Sequence, residues 1–422
     1  MDNQVIIEEQ NESSKSESFS KRWMSSLYPL KEIPKDLWKP DIDDYKMIGF
    51  QIIIELIIWF TTIFSDTNMA FLCYWDGPNY VYAAKTLYKI PSDNPWTRAF
   101  RYPPSYFACH LPGYPLLIRL FATLTLNCYW LGYILAILFG SIGVAFVFRR
   151  LLVVYNCVVD PVYSSYLLLI IPVRLTLYKS VGASEPLYMI YVYLALIFFK
   201  TDQLILMLLS MWGACITRIE GLSIVGTIGL SYLLRFDILR AIFTSLGFLA
   251  TPAVAYFHQI RFNSYKAYIN FNMNTAGLLK YPLYSLITPS KYEKFCIQSH
   301  MLFAVITPFL AGTMMMYTTC VPIAIYSTVY IIYVISIFHM DLFRYALPAF
   351  TLALIIGFDP LFSSPIFKAR IIYFIGFPII VLLWYYHGQI TTNKAPDDFL
   401  LEVLYPDKYR LNETFYYGYL FK

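Results

Sequence analysis

Nine residues of this 422-residue sequence have side chains able to move a proton, hold an anion or orient a polar substrate, and lie near the ends of apolar runs: Asp76, Arg101, His110, Glu185, Arg218, Glu220, His339, Asp341 and Arg344. Asp76 lies in YWDGPNY, after an aromatic pair and before Gly77-Pro78. A carboxylate there can deprotonate an incoming hydroxyl, although a turn or helix cap would use the same residues. His110, before LPGYP, suits either packing or contact with a phosphate leaving group. Arg218 and Glu220 in TRIEG suit a helix-end ion pair or the orientation of a polar substrate. Arg344 in FRYALP offers a planar, permanently charged donor for a phosphate or diphosphate.

The elements that must carry these residues are membrane helices. The chain is 58% hydrophobic and 14% charged, with a mean hydropathy of +0.54, against about 25% charged residues in soluble domains. Apolar runs extend from residue 48 to residue 386, enough for roughly ten to twelve spans of ~20 residues. The formal charge of +5 is scattered, so no nucleic-acid groove is implied. Seven cysteines show no CxxC or CxxH spacing, and no metal site is implied; Cys73 and Cys109 bracket one polar loop and are placed to pair if it faces an oxidising compartment.

Arg and Lys placement decides which ends share a face. Lys31, Lys35, Lys39 and Lys46 precede the first span at 48–65, so residues 1–47 are assigned to the cytosol despite the acids among them, the first twenty of them disordered. Residues 66–128 then form a large first lumenal loop with interfacial helices, among them PLLIRLFATL with Arg119. A span at 129–148 ends in Arg149 and Arg150, and one at 161–173 leads to a lumenal turn, VRLTLYKSVGASEP. Spans at 187–199, 203–216, 221–234 and 240–257 alternate between cytosolic Lys200, lumenal TRIEG, cytosolic Arg235 and Arg240, and a lumenal segment at 258–300. Spans at 301–318 and 320–338 lead to HMDLFRYALP, those at 346–358 and 371–386 flank Lys368 and Arg370, and residues 387–422 form a lumenal tail with a glycosylation sequon at Asn412. The expected fold is an all-α polytopic membrane protein with about eleven transmembrane helices, residues 48–386 forming its membrane domain. Glu55 falls inside the first span, as a functional carboxylate or one bonded between helices. The parity of the spans places the nine residues on one face, where an enzyme gathers them; a transporter would set ionisable groups near the midplane.

Together these segments resemble the GT-C superfamily of multi-spanning, lipid-phosphate-sugar-dependent glycosyltransferases. Trp75-Asp76 opens the first loop, HLPGYPLLIRLF closes it, and FRRL ends the second span, as in that superfamily. The order WDGPNYVYAA, HLPGYPLLIRL, ASEPLYMIYVY and TRIEGL is similar to the WD, LPG-P, SE and TR-x-x-G segments of the eukaryotic GPI mannosyltransferase II family, over roughly residues 70–235; Glu220 stands where that family commonly has Asn. The resemblance implies a multi-pass endoplasmic reticulum enzyme that transfers mannose, with inversion, from dolichyl-phosphate-mannose to a lipid-linked acceptor, the second mannose of a GPI-anchor precursor. It implies Asp76 as base, Arg218, Arg344 and His110 around the donor phosphate, and Glu185, Glu220 and Arg101 as orienting or sugar-reading groups. Membrane lipids, the two lipid-linked substrates and a small membrane subunit are the partners expected. Divalent-metal dependence stays open, as do a GT-C transferase of another sugar and a transporter or scramblase.

Overall fold

The computed structural model describes residues 25–63, 70–275, 277–284, 293–338, 341–392, 394–395 and 397–410. His339 and Asn412 lie outside the described residues. The described chain is helical, and its only β pairing is two isolated bridges, Tyr74 with Lys394 and Leu279 with Ile337. In order the principal helices are α1 (Ile42–Ile63), α2 (Gly77–Thr86), α3 (Pro95–Phe100), α4 (Gly113–Leu124), α5 (Tyr129–Tyr155), α6 (Pro161–Ile170), α7 (Val173–Ser180), α8 (Glu185–Lys200), α9 (Leu204–Thr217), α10 (Gly221–Leu234), α11 (Ile238–Ser245), α12 (Ala250–Phe262), α13 (Glu293–Met316), α14 (Val321–Val334), α15 (Leu342–Leu352), α16 (Pro365–Thr392) and α17 (Asp397–Leu404). By length and composition, three helical stretches among the described residues can each cross a membrane: Ile42–Thr62, Tyr129–Tyr155 and Ile238–Phe262. The pair α6 and α7, bent by 73°, makes a fourth if taken as one span, and shorter apolar helices of 10–17 residues fill out the bundle. This helix set is consistent with a membrane protein. Leu56, Phe60, Leu239 and Ile242 turn outward, as lipid-facing residues do.

Residues at the two ends of α8 show how the bundle is ordered. Its sixteen residues rise by about 24 Å. At the Lys200 end the ammonium binds the carbonyls of Ser25, Ser26 and Tyr28 at 3.0, 3.1 and 2.6 Å. The Arg235 guanidinium lies 5.1 Å from the Tyr28 ring centre, and Val321 N donates to Ser26 Oγ at 3.1 Å. Arg149 pairs with Asp41 and Asp44 at 2.6 and 2.7 Å, and Arg150 pairs with Asp44. Arg149, Arg150, Lys200 and Arg235, four of the basic residues assigned to one face, therefore converge on the segment before α1 and on its first turn. Asp41 and Asp44, acids that dilute the positive signal of that segment, are the partners of the two arginines of α5.

Several expected boundaries are corrected. The first span begins at Ile42 instead of residue 48, because Asp41 accepts from the N–H groups of Asp43 and Asp44, both at 2.9 Å, and starts the helix there. The helix expected to end at 148 runs to Tyr155, so Arg149 and Arg150 lie inside it. The stretch read as a lumenal turn contains helix α7. Its polar residues find partners inside the bundle: Lys179 Nζ reaches Gln51 Oε1 at 2.9 Å, and Gln51 donates to Glu55 at 2.5 Å. The Glu55 carboxylate is thus held within a polar cluster that bridges α1 and α7. Arg119 does not disrupt α4; its Nη1 donates to Ala84 O at 2.9 Å, satisfying an end carbonyl of α2. Lys368 and Arg370 lie within α16, and part of the expected tail folds as α17, where Phe399 packs on Trp96 at 4.7 Å. Cys73 and Cys109 are not joined to each other by a disulfide.

Asp44 is fully buried and faces two guanidinium groups. Asp44→Ala would leave both without their shared counter-charge, a loss of about 3–5 kcal/mol for a buried pair. The expected outcome is a lower melting temperature in detergent and less monodisperse protein, measured by thermal-shift chromatography; an unchanged profile would show that the clasp adds nothing.

Candidate active site

At the other end of α8 the chain assembles a cavity of about 220 Å³. Asp76 occupies the cap position of α2 but makes no capping bond. Its carboxylate instead meets Arg344 Nη2 at 3.0 Å and His110 Nε2 at 3.4 Å. Trp75, just before it, is held at φ +40°, half exposed, a strained backbone that costs of order 1–3 kcal/mol. Arg344 Nε also donates to Glu185 Oε1 at 2.5 Å, and Arg218 Nη1 reaches that same oxygen at 2.8 Å. Arg218 Nη2 pairs with Glu220 at 2.7 Å, and Tyr333 OH donates to Glu220 at 2.7 Å. The result is an alternating line of charge: His110, Asp76, Arg344, Glu185, Arg218, Glu220.

Local sequence explains why these residues meet. Glu185 is the first residue of α8, where a carboxylate is favoured by the helix dipole. Arg218 and Glu220 occupy the short break between α9 and α10. Arg344 lies in the first turn of α15, and Tyr333 in the last turn of α14. The His110 turn is pinned by Tyr88, whose hydroxyl donates to His110 O at 2.6 Å. Gly113 lets the start of α4 touch the end of α9, because a Cβ there would overlap Thr217. A Cβ at Gly77 would likewise overlap the Tyr133 hydroxyl.

The charge line sets the electrostatics of the loop groups. Burial alone would raise Asp76, but Arg344 and then His110 outweigh it and hold the carboxyl well below the ordinary carboxylate range. Burial opposes charge on His110. The Cys109 sulfur and the Asp76 carboxylate more than offset this and push the imidazole up to about 10 from its ordinary 6.5. At neutral pH these shifts favour an ionised Asp76 and a charged His110.

Of the residues singled out from sequence, Asp76, His110, Glu185, Arg218, Glu220 and Arg344 come together. Arg101 does not: it is exposed, at φ +55° as the C-cap of α3, and is not among the cavity wall residues. Asp341 sits behind the site, bonded to Arg174 and the Tyr178 hydroxyl, both at 2.6 Å. Asn79, Cys109, Ser184 and Tyr333 were missed. Asn79 Nδ2 lies 3.0 Å from His110 Nε2 and 2.9 Å from Tyr106 OH, and its spacing of three from Asp76 on one helix was the available signal. Ser184 Oγ, 3.2 Å from Arg218 Nη1, is the neighbour of a residue already chosen. Among the described residues no group of three or more His, Cys, Asp or Glu is placed to hold a metal ion. No protein-family model matches the chain, and no curated protein matches its sequence.

A raised imidazole pKa stabilises the fold fully below the unfolded value, near 6.5, and that stabilisation is lost as pH rises toward 10. The lowered Asp76 acts at the other extreme, its contribution disappearing only in acid. Between pH 6.5 and 10 the wild type should therefore lose stability more steeply than His110→Gln, read as melting temperature against pH. Parallel curves would remove His110 from the charge line.

Proposed function

We propose that the protein is a membrane-embedded glycosyltransferase drawing on a lipid-phosphate sugar donor. Within that class we propose transfer of mannose, with inversion, from dolichyl-phosphate-mannose to a lipid-linked acceptor, the second mannose of a GPI-anchor precursor, at the endoplasmic reticulum membrane. About eleven spans and a first loop in the lumen belong to the same proposal. The observation that carries it is Asp76: a carboxylate in a cap position that does not cap, turned into a cavity wall beside Arg344 and His110. The motif order WD, LPG-P, SE and TR-x-x-G supports the choice of mannose and acceptor. A cavity at one end of the bundle also favours an enzyme over a transporter.

Chemistry follows from the charges. A phosphate leaving group departs already anionic, so it needs cations more than it needs a general acid. Arg344 and His110 stand ready for it, and Arg218 lies behind them. While they face Asp76, that carboxylate is a weak base. A donor phosphate that draws Arg344 and His110 to itself releases Asp76 as the acceptor hydroxyl arrives. Asp76 then takes the hydroxyl proton while the acceptor oxygen attacks the anomeric carbon from the face opposite the phosphate. Glu185 and Glu220 keep the arginines oriented throughout.

Asp76→Asn keeps the side-chain volume and removes the base. At equal protein levels in microsomes, mannose transfer from dolichyl-phosphate-mannose to GPI precursors should fall by at least about 100-fold, with precursors accumulating at a single mannosylation step. Equal activity of mutant and wild type would sink the role of Asp76. Absence of transfer by the wild type would sink the choice of donor or acceptor.

A further inference from the structure

Arg344 has three neighbours that differ in burial. Its Nη2 meets Asp76, whose side chain is 26% exposed, and its Nε meets Glu185, which is fully buried. Its guanidinium carbon also lies 4.9 Å from the ring centre of the buried Tyr178. Asp76 and Arg344 line the cavity, whereas Glu185 and Tyr178 stand behind its wall. An entering anion can therefore displace the Asp76 contact but not the other two, so Glu185 and the Tyr178 ring fix where the guanidinium stands once it leaves Asp76. A planar cation over an aromatic face is held by the ring quadrupole, and the attraction grows where water is excluded.

Tyr178 is itself tied into a second network. Its hydroxyl donates to Asp341 Oδ2 at 2.6 Å, and Arg174 Nη2 donates to the same oxygen at 2.6 Å. Arg174 also donates to the Tyr385 hydroxyl and, at 3.1 Å, to Gln389 Oε1, so α16 anchors the network from outside. A phenol that donates to a carboxylate is richer in electrons than a free one, which strengthens its hold on a cation. Asp341 is the cap residue of α15 and Arg344 lies in its first turn, so carboxylate and guanidinium reach one ring from one helix. Asp341, singled out from sequence, has no place in the charge line; this network gives it one.

We infer that Tyr178 is a positioning residue for Arg344, holding the guanidinium toward the cavity so that it receives a phosphate group, with Asp341 fixing the ring. The inference rests on the sugar-transfer reading for the identity of that phosphate, the lipid-linked donor.

The experiment compares full-length wild type, Tyr178→Leu and Tyr178→Phe in detergent. Mannose transfer is followed against the concentration of dolichyl-phosphate-mannose and, separately, of acceptor; in a second arm inorganic phosphate is titrated and the melting temperature read. Tyr178→Leu removes the ring and should raise the donor KM about tenfold, with kcat and the acceptor KM changed far less, the pattern of a lost binding contact. It should also need about tenfold more phosphate for the same stabilisation. Tyr178→Phe keeps the ring and loses Asp341, so its donor KM should fall between the two. A merely structural role would lower the phosphate-free melting temperature and leave the donor KM at its wild-type value, and that outcome overturns the inference. So does an equal response of wild type and Tyr178→Leu to phosphate. Should Tyr178→Leu not fold, Tyr178→Phe decides: a donor KM and phosphate response equal to wild type overturn the inference. A wild type that transfers no mannose, with a phosphate response that Tyr178→Leu still weakens, overturns the choice of donor and leaves the role of Tyr178 standing.

Discussion

Glu185 is fully buried, and a single one of its oxygens accepts from both Arg218 and Arg344. The rest of the site depends on that shared contact. Each arginine, taken from water, carries a desolvation penalty of several kcal/mol that one distant counter-charge would not offset. Placing one carboxylate between them and a second at each flank, Asp76 and Glu220, gives each arginine two anions. The phenol of Tyr333 then satisfies Glu220 from outside the line. Removing the central carboxylate would leave two guanidinium groups facing each other in a poorly screened space, so no other link is as costly to break.

A line of charge this tight requires a scaffold that brings five chain segments to one place. Helix α8 supplies the axis: Glu185 at its start belongs to the charge line, while Lys200 at its end belongs to the clasp on residues 25–28. Both ends of the bundle are therefore closed by charge, with apolar packing between them. Buried tyrosines extend the polar ends into this core without orphaning loop backbone. Tyr88 holds the His110 carbonyl, and Tyr188 holds that of Glu220 at 3.1 Å. Gly113 and Gly77 permit the close helix approaches that larger side chains would prevent.

Much of this was legible in the sequence because charge parity along apolar runs is a long-range signal. Assigning Arg149, Lys200 and Arg235 to one face placed Asp76, His110, Glu185, Arg218 and Arg344 together on the other, and the structure gathers them. Proximity in the chain misled where the signal was local: Arg101, nine residues from His110, stays at the surface on a helix cap. The VRLTLYKS stretch read as a turn because Arg174 and Lys179 look like solvent-facing charge. Their partners, Asp341 and Gln51, are 167 and 128 residues away, so no local pattern could reveal that they point inward. Asn79 and Cys109 were missed for another reason: uncharged side chains gain meaning only from the ring they touch.

The same pairing that stabilises the site also restrains it. An Asp76 held by Arg344 and His110 is ionised and ready in charge, yet too well solvated by its partners to take a proton from an alcohol. The six groups of the line sum to near zero, three carboxylates against two arginines and a charged imidazole. An entering phosphate therefore competes for cations that are already in use instead of filling an empty positive pocket. On the proposed glycosyl-transfer reading, donor binding would do two things with one exchange: stabilise the leaving group in advance and raise the proton affinity of Asp76. On that reading the site is inert until its donor binds, because the base appears only when the phosphate has drawn Arg344 and His110 away from Asp76.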